Sequence, residues 1–300
     1  MEFRQLQYVI QIAKEKNFSR AAEKLHIAQP SLSQQLSKLE KEIGVLLFRR
    51  TTNSVELTHA GSVFVNKAQN ILDSIEQLKQ ELDDLAHMRK GKLVVGSLPI
   101  TGSHVLPLVL PVFGKRYPEI EVVLVEDSSS RLEQLTASGQ TDLSLLSLPL
   151  QEPSLAYEPI IDEEICLAVP QEHPLALRGN QVQIAELASE PFVILKKGQG
   201  FRQIAIELCE KAGFQPRIVF ESGNIETVQS LVAAGMGIAF VPKMVTRAQW
   251  NEFAPVYLQF AAPTPSRTLV VASRKGRYLS KAAEAFIDTM KSTVESHFNG

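Results

Sequence analysis

At 300 residues the chain has room for two or three domains, and a 44% hydrophobic share is ample for globular cores. No run of eighteen apolar residues exists to span a membrane, the charged N-terminus MEFRQLQYVIQIAKEK is unlike a signal peptide, and Cys166 and Cys209 lack metal-ligand spacing; buried thiols in a cytoplasmic protein are expected. The net charge of −2 does not advertise nucleic acid, but residues 1–58 hold nine Lys or Arg against six Asp or Glu, a weakly basic head on an acidic body.

Residues 4–16 read as a helix with Leu6, Val9, Ile10 and Ala13 inward. From Phe18 to Gly61 the pattern is two short helices, a tight turn and a hairpin. Ser19 is a candidate N-cap, with Ala21, Ala22 and Leu25 on one face. His26 to Gln29 form the turn, and Pro30 starts the second helix, where a missing N–H costs nothing. Leu32, Leu36, Leu39 and Ile43 make its buried stripe, and Gly44 ends it. The opposite face carries Gln29, Ser31, Ser33, Gln34, Gln35 and Lys38. Gln and Ser both donate and accept, which suits base edges in a major groove better than a merely solvated face would. The runs 45–48 and 55–57 pair as a wing with Arg49, Arg50, Thr51, Thr52 and Asn53 at its tip, placed to lie against phosphates.

Ala21-Ala22, Leu25, Gln29-Pro30, Ser31, Ser33, Leu36, Leu39-Glu40, Gly44, Leu47-Phe48, Arg50, Leu57-Thr58 and Ala60-Gly61 together form a dense pattern that resembles the winged helix-turn-helix of LysR-type transcriptional regulators. The length and the later segments extend that resemblance over the whole chain. It implies a multi-domain α/β protein: a winged helix-turn-helix over residues 1–58, a linker helix over 59–89, and an effector-binding domain over 90–300. The last is periplasmic-binding-protein-like, with lobe I at 93–160 and 268–300 and lobe II at 161–267.

Thr58 can cap a long helix in which Phe64, Ala68, Ile71, Ile75, Leu78, Leu82 and Leu85 recur at spacings of three and four. A seam this narrow on so long a helix reads as a dimerisation surface rather than a helix packed along its own domain. A dimer sets two recognition helices on one face of DNA and demands a near-palindromic site. The resemblance implies the same antiparallel linker dimer, often assembled into tetramers. Residues 87–92 then break the pattern as a candidate hinge.

The body alternates strands and helices, which implies a parallel sheet covered on both faces. Strands are expected at 93–96, 121–125, 141–146, 165–169, 191–195, 217–220, 238–242 and 268–272, with a helix at 105–117 after a polar loop and a last helix at 280–296. The resemblance implies that the chain crosses between lobes twice, near 149–162 and 259–267, and that the last helix returns to lobe I.

Ligands of such sheets collect at strand C-termini, where helix N-termini favour anions. Three loops qualify: Ile100, Thr101 and Ser103; Ser128 and Ser129; and Lys197, Gln199 and Phe201, joined by Asn224 from the same lobe. Many relatives carry Ser or Thr about four residues after the first strand's glycine; here that position is Ile100, so Ser128 takes more weight, and Ser129 is better read as a helix cap. Lys197 and Arg202 add positive charge, so a small organic acid or other anionic metabolite is the expected effector.

No catalytic or metal-ligand constellation is evident, and no cofactor is expected: GQG at 198–200 and GMG at 235–237 lack the rest of a phosphate-binding motif, and none of the six histidines has a partner at helix metal-ligand spacing. Expected partners are double-stranded promoter DNA, a small-molecule effector, a second copy of the chain and, for an activator, RNA polymerase. The rival readings are a sensor that keeps its helix-turn-helix for self-association, and a transferase or ligase with a catalytic cluster that spacing does not reveal.

Overall fold

The computed structural model describes residues 1–50, 55–86, 91–178, 181–246 and 254–298. Two compact units result, one made of Met1–Ala86 with Ser138–Gln140 and the other carrying the remaining strands.

In the first unit, α1 (Phe3–Glu15), α2 (Phe18–Lys24) and α3 (Gln29–Ile43) precede a hairpin of β1 (Phe48–Arg50) and β2 (Val55–Leu57), then α4 (His59–Ala86). The core gathers Val9, Ile12, Phe18, Ala21, Ala22, Leu32, Leu36, Leu39, Leu47 and Phe48. Leu6 and Val9 of the expected inner face of α1 are buried and Ala13 packs against the core half-buried, but Ile12, not Ile10, completes that face. The N-cap of α2 is Asn17, not Ser19: its Oδ1 accepts from the Arg20 N–H at 3.0 Å. α3 begins at Gln29, so Gln29 leaves the turn and Pro30 occupies the second helical position. Gly44 ends α3 at φ 75°, a left-handed conformation open to glycine without strain. Residues 45–47 are not strand; β1 starts at Phe48 and pairs antiparallel with β2 through Phe48↔Leu57, Arg49↔Glu56 and Arg50↔Val55. Thr58 caps α4 as expected, accepting from the Gly61 N–H at 2.9 Å.

Along α4 the expected seam divides. Ala68 is buried and Phe64 packs on the head core, while Ile71, Leu78 and Leu82 are 41%, 57% and 56% exposed. The side chain of Leu85 and the candidate hinge residues 87–90 lie outside the described residues; Gly91 and Lys92 already belong to a strand.

The second unit opens with β3 (Gly91–Ser97), α5 (Pro99–Arg116), β4 (Ile120–Glu126), α6 (Ser129–Ala137) and β5 (Leu143–Ser147). β6 (Leu155–Val169), α7 (Pro174–Arg178), β7 (Pro191–Leu195), α8 (Gly200–Lys211), β8 (Arg217–Ser222) and α9 (Ile225–Ala233) follow. β9 (Ala239–Pro242), β10 (Val256–Leu258), β11 (Ser266–Arg274) and α10 (Lys281–Phe298) complete it. The strand order is β10-β6-β11-β5-β3-β4, with β9 also on β6, and β7 pairs with β8. β3, β4 and β5 are parallel, but β11 is antiparallel to both β5 and β6.

β6 joins the two lobes. The expected first crossing near 149–162 is no loop: one strand runs from Leu155 to Val169, pairing with β11 up to Glu164 and with β9 from Ile165 onward. One hydrophobic core lies under β7, α8, α9 and β9; another lies between β3, α5 and α10, where Phe113 meets Phe286 edge-on at 5.1 Å. The last helix thus covers the first lobe. Among the described residues, no helix is long and apolar enough to cross a membrane.

Candidate functional site

Two surfaces gather the residues singled out by sequence. On the head, Gln29, Pro30, Ser31, Gln34 and Lys38 are all exposed on α3, and Arg49 is exposed on β1. Their common face follows from helical spacing once Leu32, Leu36 and Leu39 are buried. Ser33 is half-buried at the flank of that face. Gln35 turns inward: its Oε1 accepts from Nε2 of the buried Gln5 at 3.4 Å. Arg50 lies in β1, with its side chain outside the described residues, as is Thr51 entirely. Glu40 has a role that its helical position conceals. Its Oε1 accepts from the Leu47 and Phe48 N–H groups at 2.7 and 3.3 Å, tying the start of the wing to α3.

In the second unit a cavity of about 320 Å³ opens among Leu98, Pro99, Ile100, Leu195, Phe201 and Ile225, with Ser103, His104, Gln199, Asn224, Glu226 and Arg267 supplying polar groups. Its volume is at the lower end of small-molecule sites, roughly 300–1,000 Å³. The starts of α5, α8 and α9 all line it, and helix starts carry N–H groups without intrahelical partners together with a partial positive charge. α5 starts at Pro99, six residues before the expected helix, so Ile100, Thr101 and Ser103 are helical rather than in a polar loop. Ile100 reaches the core of the second lobe from the first. Ser103 lines the cavity, its Oγ donating to the Ile100 carbonyl at 3.0 Å, and His104 Nδ1 lies 3.0 Å from the same oxygen. Thr101 is fully buried and does not line the cavity.

The serines of the second loop part company. Ser128 stays outside the cavity, its N–H and Oγ both turned to Asp127 Oδ1 at 2.7 and 3.3 Å. Ser129 acts as a cap, but for a helix other than its own: its Oγ accepts from the Gly200 N–H at 2.8 Å, closing the start of α8 from the opposite lobe. Gln199, Phe201 and Asn224 line the cavity, and Asn224 caps α9 through the Glu226 N–H at 2.8 Å.

The expected cations lie elsewhere. Lys197 is exposed and outside the lining, and Arg202 Nη1 is held by the Leu195 carbonyl at 2.6 Å and Glu221 at 2.5 Å. Among the described residues, the Lys or Arg that does line the cavity is Arg267, which sequence reasoning passed over. It is 3% exposed, bonds Glu163 through Nε at 2.7 Å, and stands 5.4 Å from the Phe201 ring centroid. Burial pulls its pKa down while the Glu163 carboxylate opposes that shift. Cys166 and Cys209 are both buried free thiols; burial raises both pKa values, that of Cys209 to about 12.

Residues 3–62 match the family described as bacterial regulatory helix-turn-helix protein, lysR family, and residues 86–295 match the LysR substrate binding domain. The chain is 39% identical to the uncharacterized HTH-type transcriptional regulator YcgK of Bacillus subtilis, over 100% of this chain and 97% of that protein. It is 32% identical to a hydrogen peroxide-inducible genes activator of Escherichia coli, over 100% and 98% respectively. A full-length OxyR variant from Pseudomonas aeruginosa superposes with a TM-score of 0.74 at 28% identity, covering 98% of this chain and 95% of that one. These relatives are regulators rather than enzymes. With both family regions matched, the chain belongs to the LysR family of DNA-binding transcriptional regulators, with an effector-binding domain following its helix-turn-helix in sequence.

Proposed function

We propose that the chain controls transcription in response to a small anionic metabolite held between the two lobes. The observation that carries the effector reading is the cavity on which three helix starts and a buried arginine converge. An anion gains there from dipoles and N–H groups that a neutral ligand uses less well. The apolar wall favours a ligand with a hydrocarbon body.

On DNA, Gln29, Ser31 and Gln34 read base edges, with Ser33 at their flank, while Lys38, Arg49 and Arg50 engage phosphates. The exposed Ile71, Leu78 and Leu82 support pairing of α4 with a second copy, and through it a dimer or tetramer. Effector binding shifts the lobes between two arrangements and so alters the spacing of paired heads. Only a difference in ligand affinity between those arrangements drives the shift. Contact with RNA polymerase belongs to this scheme where the protein activates.

A thiol-based peroxide response, the signal named for the Escherichia coli relative, finds no support in the cysteines of this chain. A sensing thiol has to be accessible and of low pKa, whereas Cys166 and Cys209 are buried with raised pKa values.

Capture of genomic fragments by the full-length protein, with sequencing of the retained pool, tests the DNA reading. The expected result is a near-palindrome whose enrichment falls with Gln34→Ala. Retention of random fragments, unchanged by the substitution, would refute it. Isothermal titration with small organic acids tests the effector reading; heat only from neutral or cationic compounds would sink it.

A further inference from the structure

Arg267, the second residue of β11, lies directly opposite Glu163 of β6, at the stretch where β6 passes from one lobe's strands to the other's. The carboxylate is shared unevenly. One oxygen, Oε2, takes both Nε and Nη2 of Arg267 at 2.7 Å; the other, Oε1, accepts the Met244 N–H at 2.7 Å. Nη2 also faces Met244 Sδ at 3.7 Å. Among the described residues, Nη1 has no hydrogen-bond partner, and Arg267 lines the cavity. A guanidinium carries five donors in a rigid fork suited to carboxylates, so a buried one held through Nε and Nη2 alone retains unspent donor capacity. Nη1 is not among the buried atoms left without a partner, so it is open to the cavity, where an incoming anion can accept its N–H groups with a charge-assisted bond.

The rest of the lining narrows the ligand class. Among the described residues no other Lys or Arg lines the cavity, the lining carboxylate Glu226 is exposed, and the walls are Leu98, Pro99, Ile100, Leu195, Phe201 and Ile225. A dianionic phosphate would need more positive charge than one arginine already shared with Glu163. A monocarboxylate with an apolar body matches both the single cation and the wall. The same network reaches the frame of the molecule, because Met244 packs against the cores of both lobes.

Resting on the anionic-effector reading, we infer that Arg267 is the anchor for the carboxylate of an apolar monocarboxylic acid, and that Glu163 and Met244 pass its occupancy to the junction of the lobes. When a ligand carboxylate takes Nη1, it competes with Glu163 for the guanidinium. Glu163 then shifts its weight toward Met244, the side chain that touches both cores.

The test uses full-length protein and matched probes: benzoate, phenylacetate and hexanoate, each against its primary amide. Thermal shift screens all six, and titration calorimetry measures those that act. Arg267→Gln alone strands Glu163 in the interior, so the double variant Arg267→Gln/Glu163→Gln, which removes both charges, is the working comparison. Ile100→Trp, which fills the cavity, controls for the site. The acids should stabilise the wild type and the amides should not. The double variant should unfold cooperatively yet bind roughly 10- to 100-fold more weakly, the range of a hydrogen bond to a charged group. Undiminished acid binding in the double variant, lost in Ile100→Trp, would overturn the role of Arg267 and leave the cavity reading standing. Acid binding that survives Ile100→Trp would overturn the cavity reading. Amides acting as well as acids, or no probe acting at all, would overturn the monocarboxylate assignment.

Discussion

Gly61 lies in the first turn of α4, against the start of the wing. A Cβ added there would stand 2.0 Å from the Leu47 carbonyl oxygen and 3.0 Å from Leu57 Cδ2. Neither neighbour yields cheaply. The Leu47 oxygen is backbone, held by the Thr58 N–H at 2.9 Å, and the Leu47 N–H is itself tied to Glu40. Opposing effects decide the sign. Alanine in a helix is favoured over glycine by about 1 kcal/mol. Overpacking costs typically 1–3 kcal/mol, and a hydrogen bond displaced by the shift about 1 kcal/mol more. The clash wins, and Gly61→Ala should destabilise the head by about 2 kcal/mol, or roughly 30-fold in its opening equilibrium. Hydrogen–deuterium exchange on the full-length protein reads this locally: amides of α1, α3 and the start of α4 should exchange roughly 30-fold faster, while β3 and β5 stay unchanged. Specific DNA affinity, measured by fluorescence anisotropy, should fall with it. Exchange equal to or slower than wild type would refute the reasoning, because it would mean that helix propensity outweighs the contact with Leu47.

Other substitutions probe the remaining assignments. Lys38→Ala should weaken binding to all duplexes alike and reduce the salt slope by about one, whereas Gln34→Ala should cost about 1–3 kcal/mol on the preferred site alone; both are read by anisotropy across salt concentrations. Gly200→Ala brings a Cβ to 2.7 Å from Ser129 Oγ and should break the link between the lobes, raising exchange at the starts of α6 and α8 without disturbing the head. Glu163→Gln leaves the Arg267 charge buried without its partner and should lower the denaturation midpoint of the effector unit by the equivalent of about 3–5 kcal/mol. Cys209, with its pKa raised to about 12, should resist iodoacetamide at pH 8, where about one thiol in ten thousand is ionised against about one in four for an unperturbed thiol. The sign follows from the raised folded pKa: the stabilisation from a protonated Cys209 is complete below the ordinary thiol range and is lost as pH rises toward about 12.

Much of the head was legible because its signals are local. A buried stripe at Leu32, Leu36 and Leu39, a terminating Gly44 and a capping Thr58 each follow from geometry within a turn or two of chain. Local pattern left caps and boundaries ambiguous where neighbouring residues compete: Asn17 displaced Ser19, and Pro99 opened α5 well ahead of the expected start. The cavity was legible as a set of strand-end loops, and Ile100, Ser103, Gln199, Phe201 and Asn224 do line it. Its charge was not. Lys197 and Arg202 adjoin the right loop, but an exposed lysine keeps its water and Arg202 is already bound to Leu195 and Glu221. Arg267 stands in an unremarkable run, Ser-Arg-Thr-Leu-Val-Val, and draws its meaning from Glu163, 104 residues earlier. Ser129 likewise caps a helix that begins 71 residues later. Periodicity and caps are written in neighbouring residues, so they can be read along the chain. Partners across a sheet register or between two lobes meet only once the chain is folded, and burial then decides which charge must be satisfied and by what.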